Sequence, residues 1–195
     1  MQTEFEATFI NINKTQMRRI LKKAGAKLLK KEFLQRRYVF DLPQGHEIKG
    51  GWLRVRDEGD KITLSLKVVD GDKIHNQREV CLKVDSLEKG KEILETIGCP
   101  LKAYQETKRE LWTLAGVEIT IDTWPFLEPF VEIEGDSEKV VKKTAVKLGF
   151  DYQQALFCSI DTIYHLKYNL PERIFNTETP RIVFKMKNPF LKFKK

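Results

Sequence analysis

Charged residues of like sign recur two positions apart along short, apolar-rich runs, and no other feature of the chain restricts its fold as much. Glu4 and Glu6 flank Phe5, Arg54 and Arg56 flank Val55, and Glu132 and Glu134 flank Ile133. A spacing of two puts both charges on one face of a β-strand. The opposite faces carry Phe5, Leu53 and Val55, and Val131 and Ile133. For any one pair, a solvated outer sheet face is the plain reading. Three pairs need a further reason, because like charges side by side on a strand face repel. Carboxylate pairs gather divalent cations, and arginine pairs gather phosphate oxygens. Both kinds in one chain point to metal-bound polyphosphate.

Alternation predicts strands over residues 4–12, 32–41, 51–57, 61–68, 77–84, 103–113, 117–123 and 130–134. Gly59-Asp60 and Gly71-Asp72 mark two of the turns. Helical spacing predicts helices over 13–24, 86–97, 137–148 and 160–168, with Thr15, Ser86 and Ser137 as N-caps. Gly25, Gly98 and Gly149 stop the first three. A further short strand is predicted at 181–186. Short strands interrupted by a few helices give an α+β protein dominated by antiparallel sheet. Closing that sheet into a barrel would remove its edges.

The 195 residues suit one domain, or one domain with an appendage, and can bury a real core. The net charge of +7 invites a polyanion, but six bases and no acid stand in the last 15 residues. Without that tail, 29 bases face 28 acids, so an anion site in the body must come from local arrangement. Cys81, Cys99 and Cys158 are too few and too scattered for a disulfide scaffold. No apolar run is long enough to span a membrane. The first ten residues carry acids where a signal peptide carries bases. A cytoplasmic protein with reduced thiols is expected. His46, His75 and His165 are scattered, and no Ser-His or Cys-His nucleophile pair stands out. Trp52, Trp112 and Trp124 are read as packing residues. The interleaved Phe and Lys of the tail are read as a solvated end, and no specific nucleic-acid partner is expected.

An ordered series of motifs resembles the CYTH domain superfamily, also called triphosphate tunnel metalloenzymes. Glu4-Phe5-Glu6-Ala7-Thr8 is similar to the family's E-x-E-x-K. The series continues with Arg37 and Asp41 in QRRYVFDLP, then Leu53-Arg54-Val55-Arg56, Leu64-Ser65-Leu66-Lys67 and Arg78-Glu79-Val80-Cys81. It closes with Arg109-Glu110-Leu111-Trp112, Glu118 to Asp122, and FVEIEGDSEKV leading into a helix that ends in LGF.

The resemblance covers residues 1 to about 168. It implies an antiparallel eight-stranded closed β-barrel, or tunnel, with flanking helices, spanning 1–168 and followed by a C-terminal extension, 169–195, with a basic tail. It implies that Glu4, Glu6, Glu79, Asp122, Glu132 and Glu134 serve Mg²⁺ or Mn²⁺. Arg37, Arg54, Arg56, Lys67 and Arg109 would hold phosphates, with Glu4, Glu6, Arg37 and Lys67 closest to the chemistry. The implied activity is metal-dependent hydrolysis of inorganic or small organic triphosphates, such as inorganic triphosphate, thiamine triphosphate or ATP. One alternative is a class IV adenylyl cyclase converting ATP to cyclic AMP and pyrophosphate. The family lysine is Thr8 here, and a hydroxyl cannot do the electrostatic work of an ammonium group. That departure keeps a third reading open, a non-catalytic nucleotide or polyphosphate binder. Arg37 could supply the missing charge.

Overall fold

A computed structural model describes residues 1–171, 174, 175 and 178–193. The N-terminal strand is broken at Glu4 into β1 (Gln2–Thr3) and β2 (Phe5–Phe9). There follow β3 (Lys27–Phe40), β4 (Gly51–Asp57), β5 (Ile62–Val69), β6 (Gln77–Val84), β7 (Leu101–Leu114), β8 (Val117–Thr123) and β9 (Phe130–Gly135). The spatial order is β1-β6-β5-β4-β3-β7-β8-β9-β2. Because β1 and β2 are one run of chain, pairing β1 to β6 and β2 to β9 brings the sheet round on itself. The Glu4 N–H donates to the Gln77 carbonyl at 2.9 Å across the break. The result is a nearly closed antiparallel barrel of eight strands, as expected.

The barrel is apolar on its outside. Ala7, Phe9, Ile119, Ile121, Val131 and Ile133 point outward and are sealed by α1 (Lys14–Ala24) through Met17 and Leu21, and by α3 (Glu138–Lys147) through Val141 and Ala145. Phe40, Val55 and Leu53 point outward under Leu94 of α2 (Leu87–Thr96). Gly90 lets α2 approach closely, since a Cβ there would sit 2.9 Å from Val55 Cγ1. The alternate, polar positions are therefore left to the lumen. Burying the apolar face under helices is what stabilises this arrangement, at about 1.5–3 kcal/mol for each large side chain removed from water.

Three local expectations change. The α1 N-cap is Asn13, whose Oδ1 accepts from Gln16 N at 3.0 Å; Thr15 lies inside the helix. β3 begins five residues earlier than alternation predicts. Residues 27–31 read as helix formers, but Lys27 pairs with Thr113 and Leu28 with Trp112, so sheet pairing overrides propensity. The strand predicted at 181–186 shrinks to β10 (Arg181–Ile182), which pairs in parallel with β7 at Tyr104 and Gln105. α4 (Ile160–Tyr168) and the described residues after it seal one end of the barrel. Tyr164, Tyr168, Leu170, Phe175, Ile182 and Phe190 cluster there with Trp124 and Phe130. Phe190 is buried against the body, while Lys194 and Lys195 of the basic tail lie outside the described residues.

Candidate functional site

The lumen holds a cavity of about 510 Å³, within the size range of small-molecule sites. Glu4, Glu6, Arg37, Arg54, Arg56, Lys67, Glu79, Arg109, Glu132 and Glu134 all line it. Strand register explains the convergence. Glu6 faces Glu134, Thr8 faces Glu132, Arg37 faces Arg56, Lys67 faces Glu79, and Arg109 faces Asp122. Acids gather on β2 and β9, and bases on β3, β4, β5 and β7, so the lumen is electrically two-sided.

Most of the bases are paired. Lys67 Nζ lies 3.0 Å from Glu4 Oε2 and 3.6 Å from Glu6 Oε1. Arg54 donates to Glu79 at 3.0 Å, and Arg56 reaches Glu58 at 2.7 Å. Arg109 holds both Asp122 oxygens, at 2.8 and 3.0 Å, and also Glu132 at 2.5 Å. Arg37 differs. It is 6% exposed, and among the described residues it has no carboxylate partner. Its Nη2 donates to Gln35 Oε1 and Thr107 Oγ1, and its guanidinium lies 4.7 Å from the Trp124 ring centroid. The Nε atoms of Arg37 and Arg54 are buried and unpartnered. A buried cation without a counter-charge is costly, and here it faces a cavity.

Proton affinities follow from this crowding. Burial, then the charges of Arg56, Arg54 and Arg109, hold Arg37 well below the usual arginine range. Burial and Arg54 lower Arg56 to about 10. Burial raises Glu4 to about 8 despite Lys67, with Glu79 and Glu6 adding to the rise. Burial and Glu6 raise Glu132 to about 8 and Glu134 to about 7. Burial would raise Glu79 as well, but Arg54 and a hydrogen bond from Glu4 outweigh it and bring Glu79 to about 2. The raised carboxyls bind protons more tightly folded than unfolded. Their stabilising contribution is complete below the ordinary value of 4.5 and is lost as pH rises through about 7 to 8. The metal-free protein is therefore expected to melt at a lower temperature at pH 8.5 than at pH 6. A flat profile by calorimetry would show that the carboxyl crowding is absent in solution.

Two residues expected to serve a metal have other partners. Asp122 is 1% exposed, does not line the cavity, and is occupied by Arg109 and Thr120 Oγ1. Glu79 lines the cavity but is engaged by Arg54. Both orient arginines, because a carboxylate beside a fixed guanidinium is neutralised where it stands. Glu4 and Glu6 share Lys67, Glu132 meets Arg109, and Glu134 has no ion pair among the described residues; these four line the cavity as candidate oxygen donors. Among the described residues no three His, Cys, Asp or Glu groups by themselves enclose an ion. The all-carboxylate set on adjacent strands still fits a hard cation that takes its other ligands from water and phosphate, as Mg²⁺ or Mn²⁺ does.

Sequence reasoning missed Glu118, which alternates with Thr120 and Asp122 and was open to the same spacing rule. It also missed Glu58, Lys61 and Lys102 in the lining, and Cys158 to Asp161, Ile163 and Phe175 from the C-terminal part. No local signal marks those. Trp112 and Trp124 pack in apolar clusters as expected, and Trp124 also lines the cavity, as does Trp52.

Residues 3–164 match the CYTH domain. The chain belongs to the CYTH domain family. A Methanocaldococcus jannaschii relative provisionally named an adenylate cyclase is 28% identical over 150 residues, covering 76% of this chain and 86% of the relative. Among solved structures, a Vibrio parahaemolyticus protein with the same provisional name superposes with a TM-score of 0.71 at 15% identity, over 83% of this chain and 97% of that one. A Hippeastrum protein provisionally named an adenylyl cyclase, and described as having a dominant triphosphatase activity, superposes with a TM-score of 0.59 at 16% identity, over 87% and 98%. At such identities the two structures establish the CYTH fold alone. No helix among the described residues is long and apolar enough to cross a membrane.

Proposed function

We propose that this CYTH protein hydrolyses inorganic or small organic triphosphates inside its tunnel, with Mg²⁺ or Mn²⁺ as cofactor. The observation that carries this reading is Arg37, a buried cation with no carboxylate partner among the described residues, turned to a cavity lined by six more bases. A triphosphate chain supplies the missing negative charge. Arg37, Arg54, Arg56, Lys67 and Arg109 replace the water around its oxygens. Asp122 and Glu79 fix the planes of Arg109 and Arg54, so little reorganisation accompanies binding. Glu4, Glu6, Glu132 and Glu134 would hold the cation. When bound, it supplies charge neutralisation and a water of lowered pKa. Phosphoryl transfer needs positioning and charge stabilisation more than a protein nucleophile, which accords with a lumen built from ion pairs. Residues 169–195 are read as an extension to the tunnel domain, with Phe175 reaching the cavity.

A second reading, cyclisation of ATP, is favoured by the apolar wall of Trp124, Ile163 and Phe175 at one end of the cavity, against which a nucleoside could rest. The provisional name of the 28% identical relative points the same way. Phosphate release from triphosphate, thiamine triphosphate and ATP with Mg²⁺ or Mn²⁺ tests the first reading. Cyclic AMP from ATP selects the second. Binding without turnover for every substrate rejects both and leaves a binder.

Arg54→Ala should weaken triphosphate affinity by about ten- to a hundredfold in calorimetric titration. Lys194→Ala should leave it unchanged, and the reverse result would move the anion site to the tail. Thr8 is 3% exposed and lines the cavity. Thr8→Lys should raise turnover, and a variant that folds but gains nothing would show that Thr8 does not limit the rate.

A further inference from the structure

The outer surface over α1 and α3 has a charge pattern that the tunnel does not use. From Lys14 to Lys31 the chain carries eight bases and no acid, and α3 carries four bases against Glu138. Both helices seal the same apolar cluster, so their outer faces lie on one side of the barrel. α2, which covers the neighbouring part of the barrel, carries two bases and three acids. A basic outer face is thus not a general property of this protein's surface helices.

Three of these bases have partners: Lys14 with Glu32, Arg18 with Glu110 at 2.7 Å and Lys30 with Asp60 at 2.6 Å. Lys22, Lys23, Lys27, Lys139, Lys143 and Lys147 are exposed and have no ion pair among the described residues. Gly25, in the left-handed conformation at φ 86°, turns the end of α1 directly into β3. Lys22 and Lys23 thereby stand at the same corner as Lys27, Leu28 and Leu29. Leu29 and Val146 are each 58% exposed, and Leu28 is 40% exposed.

We propose that this face docks on an anionic phospholipid surface. Lysines attract the headgroups, and leucines at the corner enter the boundary of the acyl layer. Single-stranded nucleic acid fits less well, because its proteins offer aromatic stacking platforms. None of the large apolar side chains strongly exposed among the described residues is aromatic.

The test is sedimentation of the full chain with phosphatidylcholine vesicles, with and without phosphatidylglycerol, at low and high salt. The chain should bind only the anionic vesicles, and less as salt rises. The triple variant Lys22→Glu, Lys23→Glu, Lys27→Glu should lose at least about a hundredfold in partitioning, with unchanged melting temperature and phosphate release. Leu28→Ser with Leu29→Ser should lose about tenfold. Equal binding to neutral vesicles, no binding at low salt, or an unaffected triple variant would overturn the proposal. So would an unaffected leucine variant, or tighter binding to a single-stranded oligoribonucleotide than to anionic vesicles. None of these residues lines the tunnel, so the outcome is separable from that of the hydrolysis assays.

Discussion

Arg37→Met is expected to weaken triphosphate binding by about two to three orders of magnitude, while the empty protein becomes no less stable and melts at the same temperature or higher. The two signs come from one fact. Without ligand Arg37 is buried beside Arg54, Arg56 and Arg109, and among the described residues it meets Gln35, Thr107 and the Trp124 ring, with Asp122 the one acid that offsets its charge. Removing its charge relieves that repulsion, and methionine fills much of the same volume with adaptable packing. A triphosphate bound in the cavity would, in contrast, lose a charge-assisted donor. Calorimetry for affinity and thermal melting for stability separate the effects. A variant that is strongly destabilised, yet binds triphosphate normally, would make Arg37 a structural residue and remove the main support for the proposed function.

The second large effect concerns the carboxylates. Mn²⁺ is expected to raise the melting temperature of the wild-type chain, by about 2.7 kcal/mol of stability at a hundredfold excess over its Kd. Glu6→Gln with Glu132→Gln should abolish that rise and lower phosphate release by about two orders of magnitude or more. Glu6 faces Glu134 and Thr8 faces Glu132 across the β2–β9 pair, so the double change removes charge from both strands at the heart of the acidic side. The fold should tolerate it, because amides keep the size of the side chains and lessen the crowding that raises Glu132 and Glu134. Arg109 keeps its bidentate bond to Asp122. If Mn²⁺ still raises the melting temperature of the double variant by the wild-type amount, these glutamates do not hold the cation.

How much of this was legible beforehand differs from element to element. β4, β6 and β8 have the bounds that alternation predicts, because each keeps a strict period of two between clear turn signals. β3 does not, since its first five residues take strand form from pairing with β7, which no local pattern contains. The inward residues Glu4, Glu6, Arg54, Arg56, Glu132 and Glu134 follow from their spacing together with the family resemblance. The lining residue Glu58 sits in a turn beyond β4, and Phe175 follows α4; their places depend on how distant segments meet.

The sequence by itself determined which residues share a face, because side chains alternate along a strand whatever lies beside it. It could not determine which face is inside. A sheet with one apolar and one charged face can turn either inward when it closes, and α1, α2 and α3 decide the matter by covering the apolar side. Only tertiary structure, too, chose the partners within the lumen. Asp122 and Glu79 alternate just as Glu132 and Glu134 do, yet register places Asp122 opposite Arg109, and Arg54 reaches Glu79 from two strands away. Proximity across strands, set by closure of the barrel, gives Asp122 and Glu79 to single arginines, gathers Glu4 and Glu6 round Lys67, and leaves Arg37 with no carboxylate partner among the described residues.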